Sequence, residues 1–465
     1  MAKYHGQLSS TLCGLLLALG GCVEATDNQS GKDDLIEVQH GGGGDDDDHD
    51  ADDQCDDDDD DDDEDRVHAG ELEATENKFG IAATYVESGS IDYANPFFDA
   101  TLSSNGRSCV TCHDPRSGWT ISAELAEEHF KETDGLHPLF NTFDTGSRAD
   151  APVATKKDRK RTFESTVKRA LVRFNQTVPA TAEFEVIAVD DPSGFGTPAL
   201  HTRFRRPNPT SNAKFVSSLT WTAGGLPVPT FQNILFPIAV TFHGQGVTPP
   251  TAVSAAGGAF AMTPFHAQVW DKHAGRLDAD GAKGGPVNLA SFPFTPGMNS
   301  GASFNPKVFD LYDAWENSPN PHRRQIWRGQ QVFNTKTFGA NGGTCGGCHN
   351  TPNVGSSSSF VLRRIGTEVP AGKDSEFHPK VTIRHKVTGE TKVVTDFGQA
   401  LSTGLWDHIG RAKVQHLRGL AARAPFFRDG RAETIKDVIE HYDQFFNIGY
   451  TNQEKKDLEA FLYAL

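Results

Sequence analysis

The chain has 465 residues and a formal net charge of −18, long enough for two or three domains with cores of their own. The charge is concentrated: 16 Asp and one Glu lie in Asp45–Asp65 without a Lys or Arg, and the rest of the chain carries only −1. A nearly neutral folded part has no basic face for nucleic acid, so that class of partner is excluded.

The N-terminus reads "MAKYHGQLSSTLCGLLLALGGC". Lys3 and His5 precede an apolar run, Leu12 to Leu19, that is too short to span a bilayer and fits a signal peptide. The run ends in Leu19-Gly20-Gly21-Cys22, which resembles a bacterial lipoprotein cleavage site with Cys22 as the lipidated residue. Residues 1–22 are thus expected to be a signal peptide ending at a lipid anchor. No Asp follows Cys22, which implies the outer membrane, facing the periplasm or the cell surface. Residues 23–77 are expected to be a disordered Asp-rich tether, because such a run buries no apolar surface and repels itself into an extended form.

Of the 7 cysteines, Cys13 leaves with the signal, Cys22 is lipidated and Cys55 lies in the tether. The other four form two C-x-x-C-H motifs, "SCVTCHDP" at Cys109, Cys112 and His113, and "TCGGCHNTP" at Cys345, Cys348 and His349. Two thiols at this spacing add across the vinyl groups of one haem, and the following His binds the iron. A C-x-x-C redox pair leaves the two histidines unexplained, and zinc needs further close ligand pairs that the sequence lacks. The expected cofactors are therefore two covalently attached haem c groups.

Between the motifs, "EFEVIAVDDP" reads as a strand entering a turn. "HGQGVTPPTAVSAAGGAF" and "DGAKGGPVNLASFPFTPGMNSGASF" read as Gly/Pro-rich loops. "RRQIWRGQQVF" has helical apolar spacing at Ile326, Gly329, Val332 and Phe333, with Gly329 open to a close helix crossing. In "IKDVIEHYDQFF" the residues Ile435, Val438, Ile439, Tyr442, Phe445 and Phe446 make one apolar stripe, while His441 sits about 100° away around the helix. The final "TNQEKKDLEAFLYAL" opens with a capping box at Thr451 and Glu454 and places Leu458, Phe461, Leu462 and Leu465 on one face. The expected fold is mainly α: a haem domain over 78–320 with a loop-rich insertion containing short strands, and a second haem domain over 321–465. That second domain contains no Met, so a His/Met iron built from it alone is excluded.

The ending from "DFGQALSTGLWDHIGRAKVQHLRGLAARAPFFRDGRAETIKDVIEHYDQFF" onward, together with "RGQQVFNTKTFGANGGTCGGCHNTPNVG" and "NPFFDATLSSNGRSCVTCHDP", resembles the bacterial di-haem cytochrome c peroxidase superfamily, including its MauG-like branch. The resemblance covers roughly residues 78–465 and is weakest in the middle. It implies His113 and His349 as proximal iron ligands and Tyr442 as the sixth ligand of the C-terminal haem. It implies Trp221 as an electron bridge, although the motif here reads "WTAG". It sets His266, in "TPFHAQ", at the position of a distal acid–base residue above the first haem. It also allows calcium held by backbone carbonyls at Arg423 and Pro425. The implied activity is reduction of hydrogen peroxide with electrons from a small donor, a cytochrome c or cupredoxin. MauG-like oxidation of a protein or organic substrate, and a non-enzymatic surface electron conduit, are the alternatives.

Overall fold

Alternating side chains in short β-prone runs build three small antiparallel sheets in the computed structural model, which describes residues 72–216, 220–222, 238–246, 249–293, 307–358, 361–371 and 376–465. These residues fall within one compact unit, Asp50–Leu465. The first sheet has the order β1-β2-β6-β7, from β1 (Leu72–Asn77), β2 (Gly80–Tyr85), β6 (Phe265–Asp271) and β7 (Gly275–Arg276). The second pairs β3 (Val172–Thr177) with β5 (Leu200–Arg205). The third runs β4-β8-β9, from β4 (Phe184–Asp190), β8 (Lys380–His385) and β9 (Thr391–Val394). The architecture is therefore mixed helix and strand rather than mainly α.

Three further sequence readings change. The expected tether ends before residue 77, because Leu72–Asn77 pairs in full register with Tyr85 back to Gly80. Within the two Gly/Pro-rich segments, Thr251–Phe260 and Gly285–Ser291 are helices. Pro250 and Pro286 sit at their starts, where a missing N–H costs nothing. Residues 294–306, with Met298, lie outside the described residues. The two halves of the chain also share a sheet: β4, before residue 320, hydrogen-bonds to β8, after it. The "EFEVIAVDDP" strand is β4 itself.

The C-terminal helices follow their sequence signals. Pro321–Thr335 starts at Asn320, whose side chain accepts from His322 and Arg323 N–H. Ile435–Phe446 and Asn452–Tyr463 both open with complete capping boxes, Thr434/Asp437 and Thr451/Glu454. Helices Pro321–Thr335 and Asn452–Tyr463 cross at Gly329, where a Cβ would come within 1.9 Å of the Asp457 carbonyl oxygen. Ile326, Phe333, Ile435, Ile439, Leu458 and Phe461 form the core between the three helices. Phe445 departs from the expected stripe. It is 43% exposed and its ring stacks parallel to His441. Among the described residues no helix is long and apolar enough to cross a membrane.

Candidate functional site

Each C-x-x-C-H motif closes one cavity. Cys345, Cys348 and His349 line a cavity of 390 Å³, and Cys109, Cys112 and His113 line one of 360 Å³. Both volumes fall in the range of about 300–1,000 Å³ that suits cofactors. The four cysteines form no disulfide with one another. Burial pushes Cys109 up to about 12 and Cys112 and Cys345 up to about 11. A reactive redox pair needs the opposite shift. Among the described residues, the one group of three His, Cys, Asp or Glu side chains within metal-binding reach is Glu128, His129 and Glu132, which includes none of the motif residues.

The two histidines are prepared alike. His113 Nδ1 bonds the Trp119 carbonyl at 3.1 Å, and the Asn208 backbone lies beside the ring. His349 Nδ1 bonds the Gly355 carbonyl at 2.7 Å and the Gln415 carbonyl at 3.2 Å. A carbonyl only accepts, so each Nδ1 carries the proton and each Nε2 keeps its lone pair. Burial pushes His113 down to about 4 and lowers His349 as well, so both rings are neutral near pH 7. A buried, neutral, backbone-pinned imidazole is how proteins present a nitrogen to a metal. Trp119 supplies its carbonyl from a left-handed conformation, φ +64, unusual for a bulky side chain and a mark of local constraint.

The cavities meet at one wall. Two irregular segments, Arg206–Pro209 and Lys413–His416, contribute to both, and so does Trp221. Trp221 ties the segments together: its indole N–H donates to the Arg206 carbonyl at 2.8 Å, and its own carbonyl accepts from Lys413 N–H at 2.8 Å. Burial pushes the Lys413 ammonium down to about 7. Neither ring nitrogen of His416, nor Nε of Arg206 or Arg423, meets a hydrogen-bond partner in the described protein. Buried polar atoms are almost always satisfied. Guanidinium N–H groups left open at this wall suit the carboxylates of a porphyrin, and the two thiols plus one imidazole in each cavity suit its vinyl groups and iron. The residues therefore fit haem c in both cavities.

The remaining linings differ. In the C-terminal cavity Tyr442 faces in, its ring stacked on Phe446 at 5.9 Å. Burial, then the neighbouring Cys348 and Cys345, push its phenol upward, so only a cation against the oxygen would hold it as a phenolate. His441 does not line the cavity; its Nε2 bonds the Ile365 carbonyl at 2.7 Å. Tyr450 also lines the cavity, with its hydroxyl 3.6 Å from Cys345 Sγ.

In the N-terminal cavity His243 lines the wall. Its Nδ1 donates to Asp144 Oδ2 at 2.9 Å, and Asp144 Oδ1 accepts from Arg107 at 2.7 Å. Asp144 and Arg107 are each 1% exposed, whereas the His243 side chain is 25% exposed. The carboxylate fixes the tautomer, leaving Nε2 of His243 as a base.

His266 lies elsewhere. It is on β6 opposite Thr84 and lines neither cavity. Its Nδ1 meets Thr84 Oγ1 at 3.0 Å, and that oxygen accepts from the Trp119 indole at 2.9 Å. The ring thus backs the loop that presents His113. Sequence reasoning passed over His243, Asp144 and Tyr450. Arg107, two residues before Cys109, was the available lead, since a buried arginine requires an acidic partner. Cys22 and the rest of residues 1–71 lie outside the described residues.

No family model matches the chain, and no curated protein matches it. Among solved structures, it is similar to a MauG-like protein associated with microbial copper homeostasis, 14% identical over 80% of this chain and 86% of that one, with a TM-score of 0.38. It is also similar to hydrazine synthase from Kuenenia stuttgartiensis, 14% identical over 74% of this chain and 93% of that one, with a TM-score of 0.31. At these scores neither likeness says what the chain does.

Proposed function

We propose that the chain is a di-haem c-type oxidoreductase that reduces hydrogen peroxide with electrons from a small donor protein, tethered by lipid at Cys22 to the cell envelope. One observation carries the reading: two cavities, each closed by its own C-x-x-C-H, share one wall yet differ in their remaining chemistry, a His–Asp pair in one and a phenol in the other. Haem, when bound, supplies a redox-active iron in each.

The chain's own groups divide the work. Nε2 of His243 takes a proton from peroxide and returns it to the leaving oxygen, the general acid–base role that O–O cleavage needs. Asp144 holds the imidazole in that tautomer and sits beside the positive charge as it forms. Peroxide takes up two electrons and two protons and leaves as two waters. In the other cavity Tyr442 would hold the iron opposite His349 when haem is bound, and the N-terminal site would then be the one that takes peroxide. The small external donor delivers electrons to the C-terminal site. Calcium is left to backbone carbonyls such as those of Arg423 and Pro425, which bind it without a side-chain signature.

The test is oxidation of a reduced small cytochrome c or cupredoxin by hydrogen peroxide in the presence of the purified, haem-loaded protein. Turnover that falls in His243→Gln supports the reading. A fully loaded protein that consumes no peroxide sinks it. The phenol at Tyr442 favours a second reading, MauG-like oxidation of a protein or organic substrate, because a phenolate stabilises oxidised iron. Peroxide consumed without any oxidation of a small donor would favour that reading.

A further inference from the structure

The two proximal imidazoles approach each other through the shared wall, by way of Asn208 on the N-terminal cavity and Gln415 on the C-terminal one. The Asn208 backbone lies beside the His113 ring. The Asn208 side chain accepts, through Oδ1, from Gln415 Nε2 at 2.8 Å. The Gln415 backbone carbonyl in turn accepts from His349 Nδ1 at 3.2 Å. The two side-chain amides meet across the wall. Two hydrogen bonds and the approach of the Asn208 backbone to His113 connect one ligand to the other.

Trp221 is placed differently. It touches both segments through the Arg206 carbonyl and the Lys413 N–H, so it binds the wall together without a hydrogen bond to either histidine. We propose that the Asn208–Gln415 hydrogen bond is an electron path between the two irons, a role that rests on the di-haem reading above. With haem bound in both cavities, one electron would pass from the C-terminal site, oxidised by one, to the N-terminal site, reduced by one. No proton crosses, because each N–H stays on its donor. The electron comes from the external donor and ends on peroxide. Asn208 and Gln415 are positioning residues: they touch the ligands, not the reacting atoms.

The test is electron exchange between the haems of the full, haem-loaded chain after flash reduction to the one-electron level, compared at equal driving force. Asn208→Ala and Gln415→Leu break the same bond from opposite sides, so either suffices if the other does not take up haem. Each is expected to slow exchange several-fold, and the double variant no further than either single one, as two residues acting through one contact require. Asn208→Asp keeps an acceptor for Gln415 Nε2 and is expected to retain the native rate. Spectra of both haems stay native in all variants, which separates a lost path from a damaged site. Native exchange in Asn208→Ala and Gln415→Leu, or a rate controlled by Trp221→Phe alone, would overturn the proposal. A loaded chain that exchanges electrons as predicted but ignores peroxide supports the path and sinks the peroxidase reading alone. A native chain without two haems sinks both.

Discussion

Asp144 serves two residues of opposite kind, and this predicts a split between stability and activity in one pair of variants. It bonds Arg107, 1% exposed, at 2.7 Å, and His243, 25% exposed, at 2.9 Å. Asp144→Asn removes the charge facing a guanidinium that has no solvent to turn to. Breaking a buried pair from one side costs about 3–5 kcal/mol; the Pro138 and Leu139 carbonyls, which also accept from Arg107, place this case at the lower end. The same substitution weakens a charge-assisted bond to His243 worth about 1.5–3 kcal/mol. At 1.36 kcal/mol per factor of ten, that is roughly a ten- to hundred-fold loss in kcat/KM. His243→Gln removes the acid–base group itself and is expected to lose about 10²–10⁴ in kcat/KM. Its partial exposure limits the stability cost to about 1 kcal/mol. The assays are peroxide turnover at saturating donor and denaturant unfolding followed by circular dichroism. A His243→Gln variant with wild-type turnover would refute the acid–base assignment. An Asp144→Asn variant that loses activity but no stability would refute the shared-carboxylate reasoning.

Other outcomes follow from the same structure. Gly329→Ala should shift the denaturation midpoint by an amount near the top of about 1–3 kcal/mol, because the added Cβ meets a backbone oxygen at 1.9 Å. A gain of about 1 kcal/mol in helix propensity offsets part of this, and unchanged stability would mean that the two helices do not cross there. Burial opposes the charge on Asp396, but Arg205 and Arg428 beside it hold its carboxyl well below the usual carboxylate range. That depressed value contributes stability above pH of about 3.9, lost as pH falls through the folded value. Asp396→Asn should cost about 3–5 kcal/mol at neutral pH and flatten that acid limb, both read by unfolding across pH. Replacing Cys109 and Cys112 together by Ala should leave one covalent haem per chain by intact mass, and a chain still carrying two would show that those thiols are not the attachment points.

The sequence announced the parts whose signals are local. The capping boxes at Thr434 and Thr451, the close crossing at Gly329 and the inward turn of Tyr442 away from His441 all depend on residues within one helical turn or on one apolar stripe. The Gly/Pro-rich segments misled because Pro250 and Pro286 open helices as readily as they break them, and only tertiary packing decides between the two. The strand at Leu72–Asn77 was hidden by the acidic run before it, since its pairing partner fixes it more than its own composition does. The shared wall was beyond local reading. Asn208 and Gln415 lie 207 residues apart, and nothing in "RRPNP" or "KVQHL" says that the two side chains meet. His243 was passed over for the same reason: its partner Asp144 is 99 residues away, while His266 sat in the more suggestive local string and turned out to back the His113 loop.

The proposed function needs two unlike haem sites, one open to peroxide beside His243 and one closed by Tyr442. Electron paramagnetic resonance of the oxidised, purified protein tests it most directly. One high-spin and one low-spin ferric signal are expected, with the low-spin signal lost in Tyr442→Phe. Two low-spin signals, or a low-spin signal untouched by that substitution, would contradict it.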